Sequence, residues 1–202
     1  MLATVVSLPT SQFPPLALGF MGLGTGYFIY SLQELFGYPK RSPEVDAATG
    51  VWGIWLPGFF QFVAGVILFV GLALGVFTAA PLYMAALAFT SYGIHWFAIG
   101  YNRMRKGDSR VNVGMAIGFT LISILGTMVF LGAHDTPVAI IFILLILVYL
   151  SDILASLKPS LPGAGAAGEK LLGLFHLLTA IWLMYMMFAV VLDFTLKYHW
   201  SV

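Results

Sequence analysis

Polar side chains recur at helical spacing within an otherwise apolar chain. Ser91, Tyr92 and His95 stand at positions i, i+1 and i+4, which gives a helix one polar face. Gln61 is a further polar residue in the middle of another apolar segment. Hydroxyl and amide groups can replace part of a carboxylate's hydration shell without trapping it. These residues therefore predict a solute path, with interhelical hydrogen bonding as the alternative interpretation.

Ionisable side chains also lie within or at the ends of apolar segments: Glu34, His95, Asp152, His176 and Asp193. Each costs about 2.5–3.5 kcal/mol at membrane depth on insertion scales. The three carboxylates lie near segment ends, where a headgroup or a loop cation can pair with them. The two histidines have no histidine or carboxylate three or four residues away, which argues against bound metal or haem. His95 is instead a candidate proton-coupled group, because the reference pKa of histidine is about 6.5.

Catalytic motifs are missing from the sequence. It contains no HExxH, GxSxG or P-loop pattern and no cysteine, which excludes thiol chemistry and thiolate metal sites. We therefore expect no catalytic residue, no metal and no cofactor. An enzyme acting on a lipid or a small acid is the weakest alternative, because no nucleophile is paired with a base at a suitable spacing.

The segments that must position these side chains are long and apolar. Of 202 residues, 60% are hydrophobic and 8% are charged, against about 25% charged in soluble domains. The net charge of +1 leaves no basic surface for nucleic acid. A hydrocarbon core about 30 Å thick needs roughly 20 residues of helix. The sequence therefore predicts an all-α domain of six transmembrane helices at residues 16–36, 51–70, 81–101, 111–131, 137–157 and 171–196.

The connections between these segments differ in charge. Residues 37–50, 102–110 and 158–170 contain every Lys and Arg except Lys197. By the positive-inside rule, these three connections lie in the cytoplasm and both termini lie outside. The chain is then a multi-pass protein of the cell membrane, either a plasma membrane or a bacterial inner membrane.

Three motifs occupy the first half of the chain: GFMGLG at residues 19–24 after Pro15, PGFFQFVAG at 57–65, and AFTSYGIHW at 88–96. The first resembles the glycine-rich first helix that follows the N-P-A-P-L-G-L signature of the acetate uptake transporter family. The second is similar to the G-G-x-x-Q-x-x-A-G of that family's second helix. The third is close to the A-F-T-S-Y-G-x-F-W of its third helix. His95 stands where that pattern has Phe, and Leu23 where the first helix has a constriction Phe.

This resemblance implies six spans and a homohexamer with a pathway through each protomer. Tyr92 matches the aromatic residue that narrows the family's constriction, and Gln61, Thr90 and Ser91 match polar positions beside the path. The resemblance also implies the opposite orientation, because the bacterial relatives carry their second-to-third connection in the cytoplasm.

These observations favour a transporter or channel that passes acetate-like monocarboxylates, linked to protons, across the lipid bilayer. Leu23, Gln61, Thr90, Ser91, Tyr92 and His95 are the expected residues of the path. The alternative is a non-transporting membrane subunit that scaffolds or anchors a larger complex.

Overall fold

The computed structural model describes residues 14–198, which are almost entirely helical and include no strand. The predicted all-α membrane bundle is confirmed. Its helices are α1 (Leu16–Phe36), α2 (Pro43–Gly53), α3 (Phe60–Ala73), α4 (Leu82–Arg105), α5 (Asn112–Gly132), α6 (Thr136–Ser156) and α7 (Pro162–Leu196).

The second span is one helix with an irregular turn inside it. A π-helical turn, Ile54–Phe59, joins α2 to α3, so residues Pro43–Ala73 run through without a break. Pro57 lies inside this turn. Proline has no backbone N–H and its ring collides with the preceding helical turn, and a wider π turn is one way for a helix to accommodate it.

The six long helices form a closed ring. Each one contacts the next along the chain, and α7 returns to contact α1. Five of them are long and apolar enough to cross a membrane. α1 has 21 residues but is not one of the five, because its glycines and polar residues lower its hydropathy. Much of the surface of α1 faces other helices. Fewer of its residues therefore contact lipid and need to be apolar.

Two helices begin earlier than the apolar segments predict. The second span begins at Pro43 rather than residue 51, because Ser42 caps it: the Ser42 hydroxyl accepts a hydrogen bond from the Val45 backbone N–H at 3.3 Å. α7 begins at Pro162 rather than residue 171, so most of the predicted last connection is helical. Hydropathy does not mark either start, because the first turns are polar in the second span and rich in Gly and Ala in α7. At Ser42–Pro43, a serine followed by proline is nevertheless a helix-start signal.

The ring has two chemically different ends. The basic end carries the connections at residues 37–42, 106–111 and 157–161, and the apolar end carries those at 74–81 and 133–135. Glycines allow close packing between helices: a Cβ on Gly65 of α3 would lie 2.5 Å from the backbone nitrogen of Thr90 on α4. Such small-residue contacts are typical of membrane helix pairs.

Candidate functional site

An apolar cavity of about 210 Å³ opens at the apolar end of the ring. Ala79, Pro81 and Ala133 stand at its mouth, and Gln61 and Tyr92 lie at its inner end. Its lining in the described part of the chain includes no Lys or Arg, and Asp135 is its one carboxylate. The Asp135 side chain caps α6 by accepting from the Val138 backbone N–H at 3.1 Å. This cavity therefore suits an uncharged or weakly polar molecule.

A polar cavity of about 390 Å³ opens at the basic end. Arg41, Lys106 and Asp108 stand at its mouth, and His95 and His176 lie deeper. The two cavities have no lining residue in common. The ring therefore holds two opposed cavities with a closed region between them.

The closed region is a layer of buried side chains, which we call the waist: Leu23, Gln61, Tyr92, Leu145 and Leu183. Three helices place one residue in the waist and another, one turn further on, in the polar cavity: Leu23 and Tyr27, Tyr92 and Trp96, Leu145 and Tyr149. One helical turn is about 5.4 Å. The barrier between the two cavities is therefore thin, about one layer of side chains.

Tyr92 is held in place at the waist. Its hydroxyl lies 2.9 Å from the Ser123 hydroxyl of α5, and the Ser123 hydroxyl also donates to the Phe119 carbonyl at 2.8 Å. The Tyr92 ring lies 5.8 Å from the Tyr149 ring and 5.3 Å from the Phe119 ring, between centroids. These contacts fix the ring as the aromatic part of the barrier.

Gln61 brings an unused amide to the waist. Its side chain is 0% exposed, and within residues 14–198 neither its Oε1 nor its Nε2 has a hydrogen-bond partner. Leaving a buried polar group unpaired costs about 1–3 kcal/mol. An amide that lines a cavity at this cost can both donate to and accept from a bound molecule.

His95 brings an unpaired imidazole to the opposite side of the waist. The ring lines the polar cavity and stacks on Phe119 at 4.7 Å between centroids. Neither ring nitrogen has a hydrogen-bond partner in the described chain. A neutral imidazole offers one donor and one acceptor, so it is suited to a carboxyl group.

The other predicted path residues lie elsewhere. Thr90 faces α3, where it packs against Gly65, and Ser91 is only partly buried. Neither residue lines the apolar or the polar cavity. The structure thus brings Leu23, Gln61 and Tyr92 together at the waist, places His95 just beyond them, and leaves Thr90 and Ser91 outside.

A hydrogen-bonded pair in the polar cavity joins two residues that lie far apart in the sequence. His176 Nδ1 lies 2.7 Å from Glu34 Oε2, with side chains 7% and 11% exposed. The His176 ring stacks on Tyr27 at 4.4 Å between centroids, and Asp152 lines the same cavity. A search for partners within one helical turn could not find this pair, because the two residues lie on α7 and α1.

Charged side chains at the cavity mouth are tied to one another. Arg103 donates through Nε to Asp46 at 3.2 Å and through Nη2 to the Gln33 side chain. Its guanidinium also lies 4.5 Å from the centroid of the Tyr30 ring, and Gln33 donates to Thr49 at 2.9 Å. This network links α1, α2 and α4 and keeps cationic groups beside the polar cavity.

No protein-family model matches this chain, and a search of the curated proteins finds no match to it. Two cavities of opposite character meet at a thin waist that presents an unpaired amide on one side and an unpaired imidazole on the other.

Proposed function

We propose that this chain passes small monocarboxylates of the acetate class across a membrane, together with a proton, as a transporter or channel. The observation that carries the proposal is the unpaired Gln61 amide at the waist between two opposed cavities. The residues that the motifs share with the acetate uptake transporter family support the same substrate class.

The apolar cavity favours the neutral acid over its anion. The lining contains no basic residue among the described positions, and an unpaired ion in an apolar site is far more costly than a neutral polar group. A carboxylic acid can cross the waist with its proton and hydrogen-bond to the Gln61 amide. It then meets the His95 ring on entering the polar cavity, where Arg41, Arg103 and Lys106 favour the anion. The flux is therefore proton-linked.

The proposed path also bears on how the protein assembles. The path lies within one ring of helices, so each protomer is complete in itself. By its motifs we expect a homohexamer of such protomers, each with its own path, in the plasma or inner membrane.

Uptake of radiolabelled acetate by purified protein in liposomes tests this proposal. Rates are taken after subtraction of the leak into protein-free liposomes. We expect saturable uptake by the wild type and a loss of up to about tenfold in Gln61→Leu, because a hydrogen bond between neutral groups contributes about 0.5–1.5 kcal/mol. Thr127→Val is the matched control, since the one hydrogen bond of the Thr127 hydroxyl within residues 14–198 stays in its own helix, to the Ser123 carbonyl at 2.9 Å.

One result of the liposome experiment would contradict the proposal. Wild-type protein that takes up neither acetate nor related short acids above the leak rate would exclude the transport function. Co-purification of a foreign chain at fixed stoichiometry would then favour a scaffolding subunit. The specific feature that could serve such a subunit is the exposed apolar surface of α5, which includes Leu121, Leu125 and Met128.

A further inference from the structure

We infer that the Glu34–His176 pair accepts the proton that the carboxylic acid carries through the waist. This inference rests on the proposed function, and it assigns the proton step to groups that lie outside the waist itself. His176 would act through its Nε2 atom, and Glu34 would position and stabilise the ring.

The hydrogen bond between the two side chains leaves a basic nitrogen available. We take the Glu34 carboxylate as the acceptor: its Oε2 lies 2.7 Å from His176 Nδ1, which then carries the hydrogen. In the neutral ring, Nε2 then carries the free lone pair. Protonation of Nε2 gives an imidazolium that keeps its hydrogen bond to the Glu34 carboxylate, with 2.7 Å between His176 Nδ1 and Glu34 Oε2.

The position of the pair fits the exit from the waist. Leu23 lies in the waist, Tyr27 lies one turn further along α1, and the His176 ring stacks on Tyr27 at 4.4 Å. One aromatic layer therefore separates the waist from His176. An acid that passes this layer enters the cavity that His176 lines.

Each bond that is broken or formed in the proton transfer belongs to the acid or to His176. The O–H bond of the acid breaks, an N–H bond forms at His176 Nε2, and the electron pair of the O–H bond stays on the carboxylate. The anion leaves through the mouth lined by Arg41, Arg103 and Lys106. The imidazolium then releases its proton to solvent water at the basic end, and the neutral ring is restored.

Other charged and titratable groups surround the pair from each neighbouring helix. Tyr27 and Tyr30 come from α1, His95 and Arg103 from α4, Tyr149 and Asp152 from α6, and Arg41 from the connection after α1. Lys170 of α7 donates to the backbone carbonyls of Glu34 and Leu35 at 2.8 and 2.6 Å. His95 lacks a carboxylate hydrogen-bond partner in the described chain, whereas His176 has Glu34.

Two transport measurements on the same proteoliposomes separate a proton acceptor from a structural ion pair. The first is acetate exchange at equal pH on both sides, which requires no net proton movement. The second is net acetate uptake driven by a pH gradient, which requires net proton movement. The variants are Glu34→Gln and His176→Asn.

We expect both variants to keep acetate exchange within about threefold of wild type and to lose gradient-driven stimulation by about tenfold or more. His134→Asn is the matched control. His134 is exposed, and its φ of 60° is a conformation that asparagine adopts readily. This control should retain both activities.

Three outcomes would overturn the inference. Gradient-driven uptake that survives in both variants would show that another group takes the proton. An equal fall in exchange and in gradient-driven uptake would reveal a structural pair only. If His95→Ala alone abolished the gradient response, the acceptor would be His95. Absence of acetate exchange in the wild type would instead overturn the proposed function, and this inference with it.

Discussion

Single residues decide which molecule the waist can admit. Gln61 is fully buried and its amide atoms have no partner in the described chain, whereas the nearby Tyr92 hydroxyl is paired with Ser123. Buried polar groups are nearly always satisfied in folded proteins. This contrast in hydrogen bonding is the basis for the proposed role of Gln61 in binding the acid.

This difference predicts opposite effects of two substitutions on stability. Gln61→Leu should raise thermal stability, because it removes an unpaired buried amide whose cost is about 1–3 kcal/mol. Tyr92→Phe should lower stability by about 0.5–1.5 kcal/mol, because it removes one hydrogen bond. Thermal unfolding of the two variants in the same detergent measures both changes. A less stable Gln61→Leu protein would mean that the amide is already satisfied.

The Tyr92 ring has a separate role from its hydroxyl. Tyr92→Phe should keep the barrier between the cavities, since the ring contacts with Phe119 and Tyr149 remain. Tyr92→Ala should open the waist, at a stability cost of about 3–5 kcal/mol for a buried aromatic truncation. Leakage of larger acids such as benzoate from loaded liposomes compares the two variants. Equal leakage from both would show that Tyr92 does not form the barrier.

Whole helices depend on glycine where they approach one another closely. Gly65 of α3 faces the backbone of Thr90 on α4, whereas Gly118 of α5 has no atom within 4 Å of the position of a Cβ. A methyl group at the first site meets backbone atoms, which cannot rotate away as a side chain can. At the second site it meets open space.

Alanine substitution at the two glycines is therefore expected to change stability in opposite directions. Gly65→Ala should destabilise the fold by about 1–3 kcal/mol, as overpacking does. Gly118→Ala should stabilise it by about 0.5–1 kcal/mol, because glycine is the poorer helix former in a helix interior. Thermal unfolding with the wild type as reference decides both. Equal effects at the two sites would contradict the close approach of α3 and α4.

The sequence predicts the helices better than it predicts their ends. Long apolar segments predict the six long helices, but the capped start at Pro43 is polar and the early turns of α7 from Pro162 are rich in Gly and Ala, so hydropathy does not mark either start. The waist residues Leu23, Gln61 and Tyr92 were found through their motifs. The Glu34–His176 pair could not be found, because only tertiary packing brings α1 and α7 together.

At the scale of the whole molecule, the two cavities open toward opposite faces of the membrane. The chain has no cysteine, so a single introduced cysteine can be labelled without background. Ala133 and Ser109 are both exposed and both small, and they line the apolar and the polar cavity respectively. They are therefore suitable positions for testing orientation.

The charge distribution predicts which cysteine is labelled from outside. In intact cells, a membrane-impermeant maleimide should label Ala133→Cys, whereas Ser109→Cys should require permeabilisation, because the basic end is expected in the cytoplasm. Leu23→Cys at the waist should stay unlabelled from either side. Labelling of Ser109→Cys alone in intact cells would contradict the positive-inside assignment. It would agree with the opposite orientation, which the resemblance to the acetate uptake transporter family implies.

The absence of a basic residue from the described lining of the apolar cavity also has an electrical consequence. A thin waist between two wide cavities concentrates the membrane voltage across a few side chains, and a bare anion crossing it would gain or lose about 2.3 kcal/mol per 100 mV. An acid that crosses with its proton carries no net charge through that field. Acetate movement should therefore be electroneutral, and clamping the liposome potential with valinomycin and potassium should leave its rate unchanged.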